Sequence, residues 1–242
     1  MEFYLDLRSQ PCRSLYLFAK AANIPFTFKV VDLAQGEQFS EDFGKLSPIR
    51  KVPVLKDGDF VLTESVAILQ YLVQKHASSL PDHWYPVDLR RRARVNEYLS
   101  WQQLNLRAHG SKVFLLRTFY PVVMGHEVPK DKMDNAVADL NESLDMLEKK
   151  FLQDRAFIAG QQISVADIVA YAEILQPVGS GLDVFAGRPK LVAWREGLKA
   201  EFGAELLDEV DQAIMATGSL PRTLQQSKGM EMLRPKFSKM FS

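Results

Sequence analysis

The spacing of hydrophobic residues divides the chain into a first part that alternates strands with helices and a second part that contains only helices. Short apolar runs predict strands at residues 3–7, 26–32, 52–55 and 60–62. Apolar residues that recur every three or four positions predict one helix at residues 11–22 and another from Thr63. The sequence Asp57-Gly58 lies between the last two strands and predicts a tight hairpin. This order of elements indicates an α/β unit of the size of thioredoxin.

From Pro86 onward the apolar spacing is helical throughout. The clearest stripe includes Met133, Val137, Leu140, Leu144, Leu147 and Phe151, and other helices are predicted at residues 88–118, 190–201 and 205–216. Residues 77–86 contain two serines and two prolines without any period, which is typical of a linker. We therefore predict a thioredoxin-like domain (1–78), a linker (79–86), an all-α helical-bundle domain (87–219) and a C-terminal extension (220–242).

Composition and charge exclude several classes of protein. The 242 residues are 47% hydrophobic and 25% charged, as in an ordinary globular protein. Thirty basic residues balance thirty acidic ones, which argues against nucleic acid as a partner. The single cysteine cannot form an internal disulfide, and the N-terminus does not resemble a signal peptide. No uncharged apolar run is long enough to span a bilayer, so we expect a cytoplasmic protein without stable membrane insertion.

Ser9 lies between the first predicted strand and the first predicted helix, in the sequence Ser9-Gln10-Pro11-Cys12. Thioredoxin-like redox proteins carry a Cys-x-x-Cys pair at this turn, and a serine in its first position removes dithiol chemistry. A helix N-terminus still offers free N–H groups and partial positive charge, which lower the pKa of a thiol held there. Ser9 is therefore either a hydrogen-bond donor to a bound thiol or an ordinary N-cap.

Pro53 opens the third predicted strand, a position at which a strand tolerates proline. In a thioredoxin-like unit we expect a cis peptide bond before this proline. The expectation rests on the fold, because only about 5% of X–Pro bonds are cis in general. A cis bond would leave the backbone of Val52 free to pair with an extended peptide, as an added strand does.

Glu64 and Ser65 stand at the start of the next predicted helix. Ser65 is an N-cap candidate, and the free N–H groups of a helix N-terminus bind carboxylates. The charge of Glu64 suits an α-ammonium group. Together the two residues fit the amino-acid end of a γ-glutamyl peptide, and plain helix capping is an equal alternative.

These three motifs, in this order and followed by a helical domain, resemble the glutathione transferase family. Residues 4–13 resemble the N-terminal motif of its theta class, and residues 51–58 and 62–68 resemble its glutathione-site motifs. The resemblance continues through residues 157–160, 163–167 and 188–191 and covers nearly the whole chain. Within residues 163–167, Ser164 and Asp167 have the spacing of a capping box, which indicates a structural role.

The resemblance implies an enzyme that binds glutathione in the N-terminal domain and a second substrate mainly in the helical domain. Ser9 would donate a hydrogen bond to the glutathione sulfur. Val52, beside Pro53, would hold the cysteinyl backbone, and Lys51 would approach the glycyl carboxylate. Glu64 and Ser65 would bind the γ-glutamyl end.

Three further residues extend this implied site. Gln38 stands where theta-class proteins often have histidine, so it can donate a hydrogen bond to the glycyl carboxylate but carries no charge. Arg107 resembles an arginine that faces the active site, and a solvated helix charge is the alternative. Arg234 belongs to a basic amphipathic tail, which we interpret as a cap over the active site rather than a membrane-binding segment. We expect Arg234 to reach the glutathione region.

The implied reaction is attack of the glutathione thiolate on an electrophilic carbon of a halogenated compound or an epoxide, with reduction of organic hydroperoxides as an extension. Glutathione is then a co-substrate, and no metal or cofactor is expected, because the histidines lack metal-ligand spacing. The family further implies a homodimer that acts in detoxification. The alternatives are a non-catalytic interaction module of the same fold and a glutaredoxin-like oxidoreductase that acts through Cys12.

Overall fold

The computed structural model describes residues 1–215 and 227–241, and within them the N-terminal part is a four-stranded sheet with helices around it. The strands are β1 (Glu2–Leu5), β2 (Thr27–Val30), β3 (Val54–Asp57) and β4 (Phe60–Leu62), and the helices are α1 (Gln10–Ala21), α2 (Glu41–Leu46) and α3 (Ser65–Lys75). The strand order is β2-β1-β3-β4, with β1 parallel to β2 and antiparallel to β3. This arrangement confirms the predicted thioredoxin-like fold.

Side chains of β1 alternate between the two faces of the sheet, as the apolar pattern predicts. Phe3 and Leu5 are fully buried in the main core. Tyr4 points to the opposite face, packs beside Val54, and donates a hydrogen bond to the carboxylate of Glu2. Tyr4 therefore does not enter the turn that precedes α1.

The segment between β2 and β3 contains more regular structure than its sequence indicated. It includes a short 3₁₀ helix (Glu37–Phe39) and α2, where the sequence pattern predicted neither strand nor helix. The hydroxyl of Ser40 accepts a hydrogen bond from the N–H of Phe43, at 3.2 Å, and so caps α2. The hairpin between β3 and β4 is confirmed, and Gly58 adopts a left-handed φ of 62° in its loop.

The second part of the described chain is entirely helical. Its helices are α4 (Leu89–Trp101), α5 (Leu106–Thr118), α6 (Tyr120–Met124), α7 (Lys130–Met146), α8 (Val165–Gly179), α9 (Pro189–Phe202), α10 (Ala204–Met215) and α11 (Lys228–Phe241), and α7 continues into a π-helical turn (Leu147–Leu152). Nearly every residue of α8 is buried, and this helix packs against both α1 and α5. It is the central helix between the two parts of the chain.

The single helix predicted for residues 88–118 is wrong, because the chain forms two helices there. A 3₁₀ turn (Gln102–Leu104) follows α4, and Asn105 then leaves the helical region with φ −116° and ψ −97°. The side-chain amide of Asn105 donates to the carbonyl of Trp101 at 2.7 Å. Such local side-chain bonds compete with the helical backbone, which explains the break.

The predicted capping box at the start of α8 is confirmed. The hydroxyl of Ser164 accepts from the first-turn backbone, and the carboxylate of Asp167 accepts from the N–H of Ser164 at 2.9 Å. Asp167 is fully buried and also accepts from the N–H of Ile158 and the indole of Trp194. The box therefore connects α8 to α9 and to the preceding loop.

The α/β part ends with α3, and the helical part begins with α4. The exact limits of 1–78, 79–86 and 87–219 stay predictions. Residue 216, the last of the helix predicted at 205–216, lies outside the described residues, as do 217–219 and the first part of the extension, 220–226. No helix in the described part of the chain is both long and apolar enough to cross a bilayer.

Candidate active site

A cleft of about 150 Å³ lies between the α/β part and the helical part. The structure brings five of the predicted glutathione residues together in its wall: Lys51, Val52, Pro53, Glu64 and Ser65. Pro11 of α1 and Ile49 complete the α/β side, and Gln103 and Arg107 form the helical side. The cleft thus carries both positive and negative side chains as well as exposed backbone.

The peptide bond between Val52 and Pro53 is cis, as expected from the fold. Pro53 is buried immediately before β3, whereas Val52 is half-buried in the wall of the cleft. An extended peptide in the cleft can therefore reach the backbone of Val52 as an additional strand would.

The prediction of Ser65 as the N-cap of α3 is wrong, because Glu64 occupies that position and Ser65 is the first helical residue. The helix thus begins one residue before the start that an N-cap at Ser65 implies, and two residues after Thr63, where the apolar spacing predicted it. Glu64 has a positive φ of 65°, which is uncommon for a residue with a side chain. No side-chain capping bond forms at this end within the described residues, so the first N–H groups of α3 face the cleft without such a partner.

Ser9 occupies the N-cap position of α1, and its carbonyl accepts from the N–H groups of Cys12 and Arg13. Its hydroxyl makes no capping hydrogen bond in the part of the chain that the structure describes. The ordinary capping role, one of the two interpretations of the sequence, is therefore not the role of this hydroxyl. Ser9 is half-buried and lies two residues before Pro11, which lines the cleft.

Cys12 is fully buried one turn into α1. Burial raises the pKa of its thiol to about 12, although the backbone near Asp6 and the neighbouring Ser9 hydroxyl act in the opposite direction. A thiol that is protonated and closed to solvent is not a nucleophile. The geometry therefore speaks against redox chemistry through Cys12.

Arg13 holds the turn that presents Ser9. The Nη1 atom donates to the carbonyls of Leu7 and Arg8, each at 3.0 Å. The Nη2 atom donates to the carbonyl of Ala172 at 3.0 Å and to Oε1 of Gln176 at 2.7 Å, both on α8. Arg13 is fully buried, and burial lowers the pKa of its guanidinium to about 10.

Two more side chains of α1 bond to the helical part. The amide of Gln10 donates to the hydroxyl of Ser111 on α5 at 2.7 Å, and the hydroxyl of Tyr16 donates to the carboxylate of Glu209 on α10. Gln10, Arg13 and Tyr16 are spaced three residues apart, so they share one face of α1. Each reaches a different helix of the second part.

Arg107 is not the solvated helix charge that its sequence allowed as an alternative. Its Nη1 atom donates to Oε1 of Glu173 at 2.6 Å, and the Glu173 side chain is only 2% exposed. The Arg107 side chain remains 32% exposed and lines the cleft with Lys51 and Glu64. The structure thus places Arg107 with the predicted glutathione residues, and its assignment to the second-substrate pocket stays a prediction.

A second pocket, of about 200 Å³, lies beneath α11. Its wall is mostly apolar and includes Arg8, Leu33, Ala34, Gln38, Phe114, Phe119, Gly229, Met230, Leu233 and Phe237. The aromatic residues of α5 and of the turn after it were not predicted as site residues. Their apolar character fits core and pocket equally well, so the sequence held no signal that distinguishes them.

Gln38 lies in this second pocket rather than in the cleft with Lys51. Its side chain is almost fully buried, and its Oε1 atom has no hydrogen-bond partner among the described residues. The two residues predicted to share the glycyl carboxylate are therefore not brought together. The contact between Gln38 and that carboxylate stays a prediction.

The tail helix α11 covers the second pocket by contacts at both of its ends. The N–H of Gly229 donates to the carbonyl of Ala34 at 3.0 Å, and Met230 is 2% exposed. The ring of Phe237 packs against that of Phe119, with centroids 5.2 Å apart. The tail therefore contacts the α/β part and the helical part together.

Arg234 does not line the cleft. It is exposed, and its Nη1 atom lies 3.5 Å from the carbonyl oxygen of Val123 in α6. The predicted contact between Arg234 and the glutathione region stays a prediction.

Within residues 1–215 and 227–241 there is no group of three or more His, Cys, Asp or Glu side chains arranged to hold a metal ion.

Comparison with family models gives two matches. The model described as "Glutathione S-transferase, N-terminal domain" matches residues 3–74, and the model described as "Glutathione S-transferase, C-terminal domain" matches residues 113–201. Together these matches cover both the α/β part and most of the helical part.

Similar curated proteins carry theta-class names. Glutathione S-transferase theta-3 of Mus musculus and theta-1 of Homo sapiens are each 47% identical to this chain over 221 residues, which is 91% of this chain and 91% of each relative. Theta-2 of Rattus norvegicus is 48% identical over 216 residues, or 89% of this chain and 87% of the relative.

Solved human structures share the fold over almost the full length. The apo form of human glutathione-S-transferase T1-1 is 45% identical, with a TM-score of 0.91 over 100% of this chain and 99% of that chain. Human glutathione transferase theta-2, in complex with glutathione and an unknown ligand, is 41% identical, with a TM-score of 0.86 over 96% and 97%. A human theta-class enzyme in complex with the glutathione conjugate of 1-menaphthyl sulfate is also 41% identical, with a TM-score of 0.89 over the same shares.

Proposed function

Since this chain belongs to the theta class of the glutathione S-transferase family, we propose that it joins the thiolate of glutathione to small electrophiles and that the Ser9 hydroxyl stabilises this thiolate. The observation that carries the proposal is the position of Ser9. Its hydroxyl lies at the N-terminus of α1 and makes no capping bond within the described residues, and Pro11, two residues later, lines the cleft. This position supports a role for Ser9 as hydrogen-bond donor to a ligand sulfur.

The cleft supplies complementary groups for each part of glutathione. The backbone of Val52, before the cis bond to Pro53, suits the cysteinyl peptide units. Glu64 suits the α-ammonium of the γ-glutamyl end, and the N-terminus of α3 at Ser65 suits its α-carboxylate. Lys51 supplies a positive charge for the other carboxylate of the tripeptide.

Catalysis would come from a stabilised thiolate and from holding the two reactants together. The hydroxyl of Ser9 donates to the sulfur, and the partial positive charge at the N-terminus of α1 favours the same anion. The sulfur then forms a bond to an electrophilic carbon while the bond from that carbon to halogen breaks and halide leaves. With an epoxide, the carbon–oxygen bond breaks, and the resulting alkoxide takes up a proton.

The apolar pocket beneath α11 is our candidate for the second substrate. Phe114, Phe119 and Phe237 give it an aromatic lining, and the tail covers it. We propose small halogenated compounds and epoxides as its substrates, with organic hydroperoxides as a further class. The tail would act as the cap of this pocket.

Further proposals follow from family membership. They are a homodimer, a cytoplasmic location, a role in detoxification, glutathione as co-substrate without a metal or other cofactor, and neither nucleic acid nor membrane insertion as part of the function.

A non-catalytic interaction module of the same fold is the main rival. A hydroxyl at the N-terminus of α1 that does not cap the helix argues against it, because a scaffold has no use for that group.

The decisive measurement is the pKa of enzyme-bound glutathione, followed by ultraviolet absorbance of the thiolate in the wild type and in Ser9→Ala. We expect a value below the roughly 8.5 of a free thiol in the wild type and a return toward it in Ser9→Ala. Glutathione that binds with an unshifted pKa, and without turnover, would favour the interaction module.

A further inference from the structure

Glu173 is a buried carboxylate whose position in α8 has no explanation in the apolar pattern of that helix. Its side chain is 2% exposed, and one oxygen accepts from Arg107. Its other oxygen, Oε2, has no hydrogen-bond partner in the described part of the chain. Burial raises the pKa of Glu173, and the charges of Arg107 and Arg13 act against that rise. A carboxylate in such surroundings is costly unless it does something that an apolar side chain cannot do.

The contact between Glu173 and Arg107 is held by close packing of α5 against α8. Gly110, three residues after Arg107, lies where a Cβ atom would come within 3.3 Å of the Pro177 side chain and 3.5 Å of the Glu173 carbonyl oxygen. The absence of a side chain at Gly110 therefore allows the two helices to approach. The Arg107 guanidinium has little freedom once this approach and the 2.6 Å hydrogen bond are both in place.

The rest of the Arg107 guanidinium faces the cleft. One terminal nitrogen is used by Glu173, whereas a guanidinium carries five N–H donors in a planar fork. The side chain is 32% exposed and lines the same cavity as Lys51 and Ser65. Its remaining donors are therefore directed at whatever carboxylate enters that cavity.

We propose that Glu173 is a positioning residue for glutathione, which holds the Arg107 guanidinium at the cleft wall so that it binds a carboxylate of the tripeptide. This inference rests on the proposed function, because it takes the cleft as the glutathione site. Glu173 itself does not touch the substrate. It acts through Arg107, and the charge of Arg13, the residue that holds the turn before Ser9, also lowers the pKa of Glu173.

The test is a double-mutant cycle with Glu173→Gln and Arg107→Gln, in which the KM for glutathione is measured at a saturating alkyl halide. Each single variant removes one partner of the charge-assisted hydrogen bond, and we expect each to raise the KM roughly tenfold. The double variant should have the KM of Arg107→Gln alone, because Glu173 then has nothing left to position. Glu173→Asp keeps the charge and should restore part of the affinity.

Asp139→Asn is the matched control. It breaks another ion pair of α5, between Lys112 and Asp139 at 2.8 Å, but this pair lies at the surface away from the cleft. We expect an unchanged KM for this variant. Thermal unfolding of every variant separates loss of fold from loss of binding.

Two results would overturn the inference. One is a fold-increase of the KM in the double variant that equals the product of the fold-increases in the two single variants. The other is a lower melting temperature of Glu173→Gln with an unchanged KM for glutathione. Either result overturns the inference alone if the wild type is found to lower the thiol pKa of bound glutathione, since the proposed function then still holds. If the wild type itself leaves that pKa unshifted and shows no turnover, the proposed function fails first.

Discussion

The Nη2 atom of Arg13 lies 2.7 Å from Oε1 of Gln176, although the two residues are 163 positions apart in the chain. The bond joins the helix that follows the candidate catalytic turn to the central helix of the second domain. Because the same guanidinium also binds the carbonyls of Leu7 and Arg8, the position of Ser9 depends on the contact between the two domains.

Gln176→Ala should destabilise the protein, because it leaves one donor of the buried Arg13 without its acceptor. We expect the free energy of unfolding to fall by about 1–3 kcal/mol, measured by urea denaturation. Gln74→Ala is the control, since the exposed Gln74 side chain bonds, among the residues that the structure describes, only to the carbonyl of Gln70. Its effect should stay within about 0.5 kcal/mol. Equal stability of the two variants would contradict the role of Arg13 as a buried link.

Cys12→Ala should retain turnover, because the thiol is fully buried and takes no part in the proposed chemistry. A chromogenic disulfide reagent should leave the native wild type unlabelled and should titrate one thiol in urea. Rapid labelling of the native protein, or loss of turnover in Cys12→Ala but not in Ser9→Ala, would instead support an oxidoreductase.

Ser164→Ala should weaken folding without a direct effect on substrate binding. It removes the hydroxyl that caps α8 and that also bonds to the buried carboxylate of Asp167. We expect a loss of about 1 kcal/mol in the free energy of unfolding, with an unchanged KM for glutathione in the folded fraction. A raised KM at unchanged stability would mean that this motif belongs to the site.

Gly229→Ala should lift the tail helix from the second pocket. A Cβ atom at Gly229 would lie 2.4 Å from the carbonyl oxygen of Ala34, a distance that forces one of the two segments to move. We expect a KM for the electrophile that rises roughly severalfold as the pocket opens, with little change in the KM for glutathione.

Gly160→Ala is the control for the tail variant, because a Cβ atom there meets no described residue within 4 Å. Limited proteolysis should cleave the tail of Gly229→Ala faster than that of the wild type or the control. An unchanged KM for the electrophile, together with faster cleavage of the tail, would show that the tail does not cover the second-substrate pocket.

The elements that follow from local patterns could be predicted from the sequence. The alternation of Phe3, Tyr4 and Leu5 between two sheet faces depends only on strand geometry. The capping box of Ser164 and Asp167 depends on atoms three residues apart. The fold-level resemblance supplied the cis bond before Pro53, which no local pattern gives.

The parts of the site that depend on distant contacts could not be predicted. A charged side chain such as Arg13 is ordinarily exposed in an amphipathic helix. Only the packing of α8 against α1 shows that the Arg13 side chain is buried. Gln38 follows the expected motif spacing, yet the path of the segment after β2 places it beneath the tail rather than beside Lys51. The break at Asn105 depends on a side-chain bond that helix periodicity does not reveal.

The face of α1 that carries Gln10, Arg13 and Tyr16 bonds to three helices of the other domain. Separation of the domains would leave the buried guanidinium of Arg13 without its hydrogen-bond partners on α8. Neither domain should therefore stay folded once the other has unfolded. The protein is therefore expected to unfold in a single cooperative transition, with a calorimetric enthalpy equal to the van't Hoff enthalpy. A substitution far from the cleft, if it loosens this joint, then lowers the population of molecules that hold Ser9 in place.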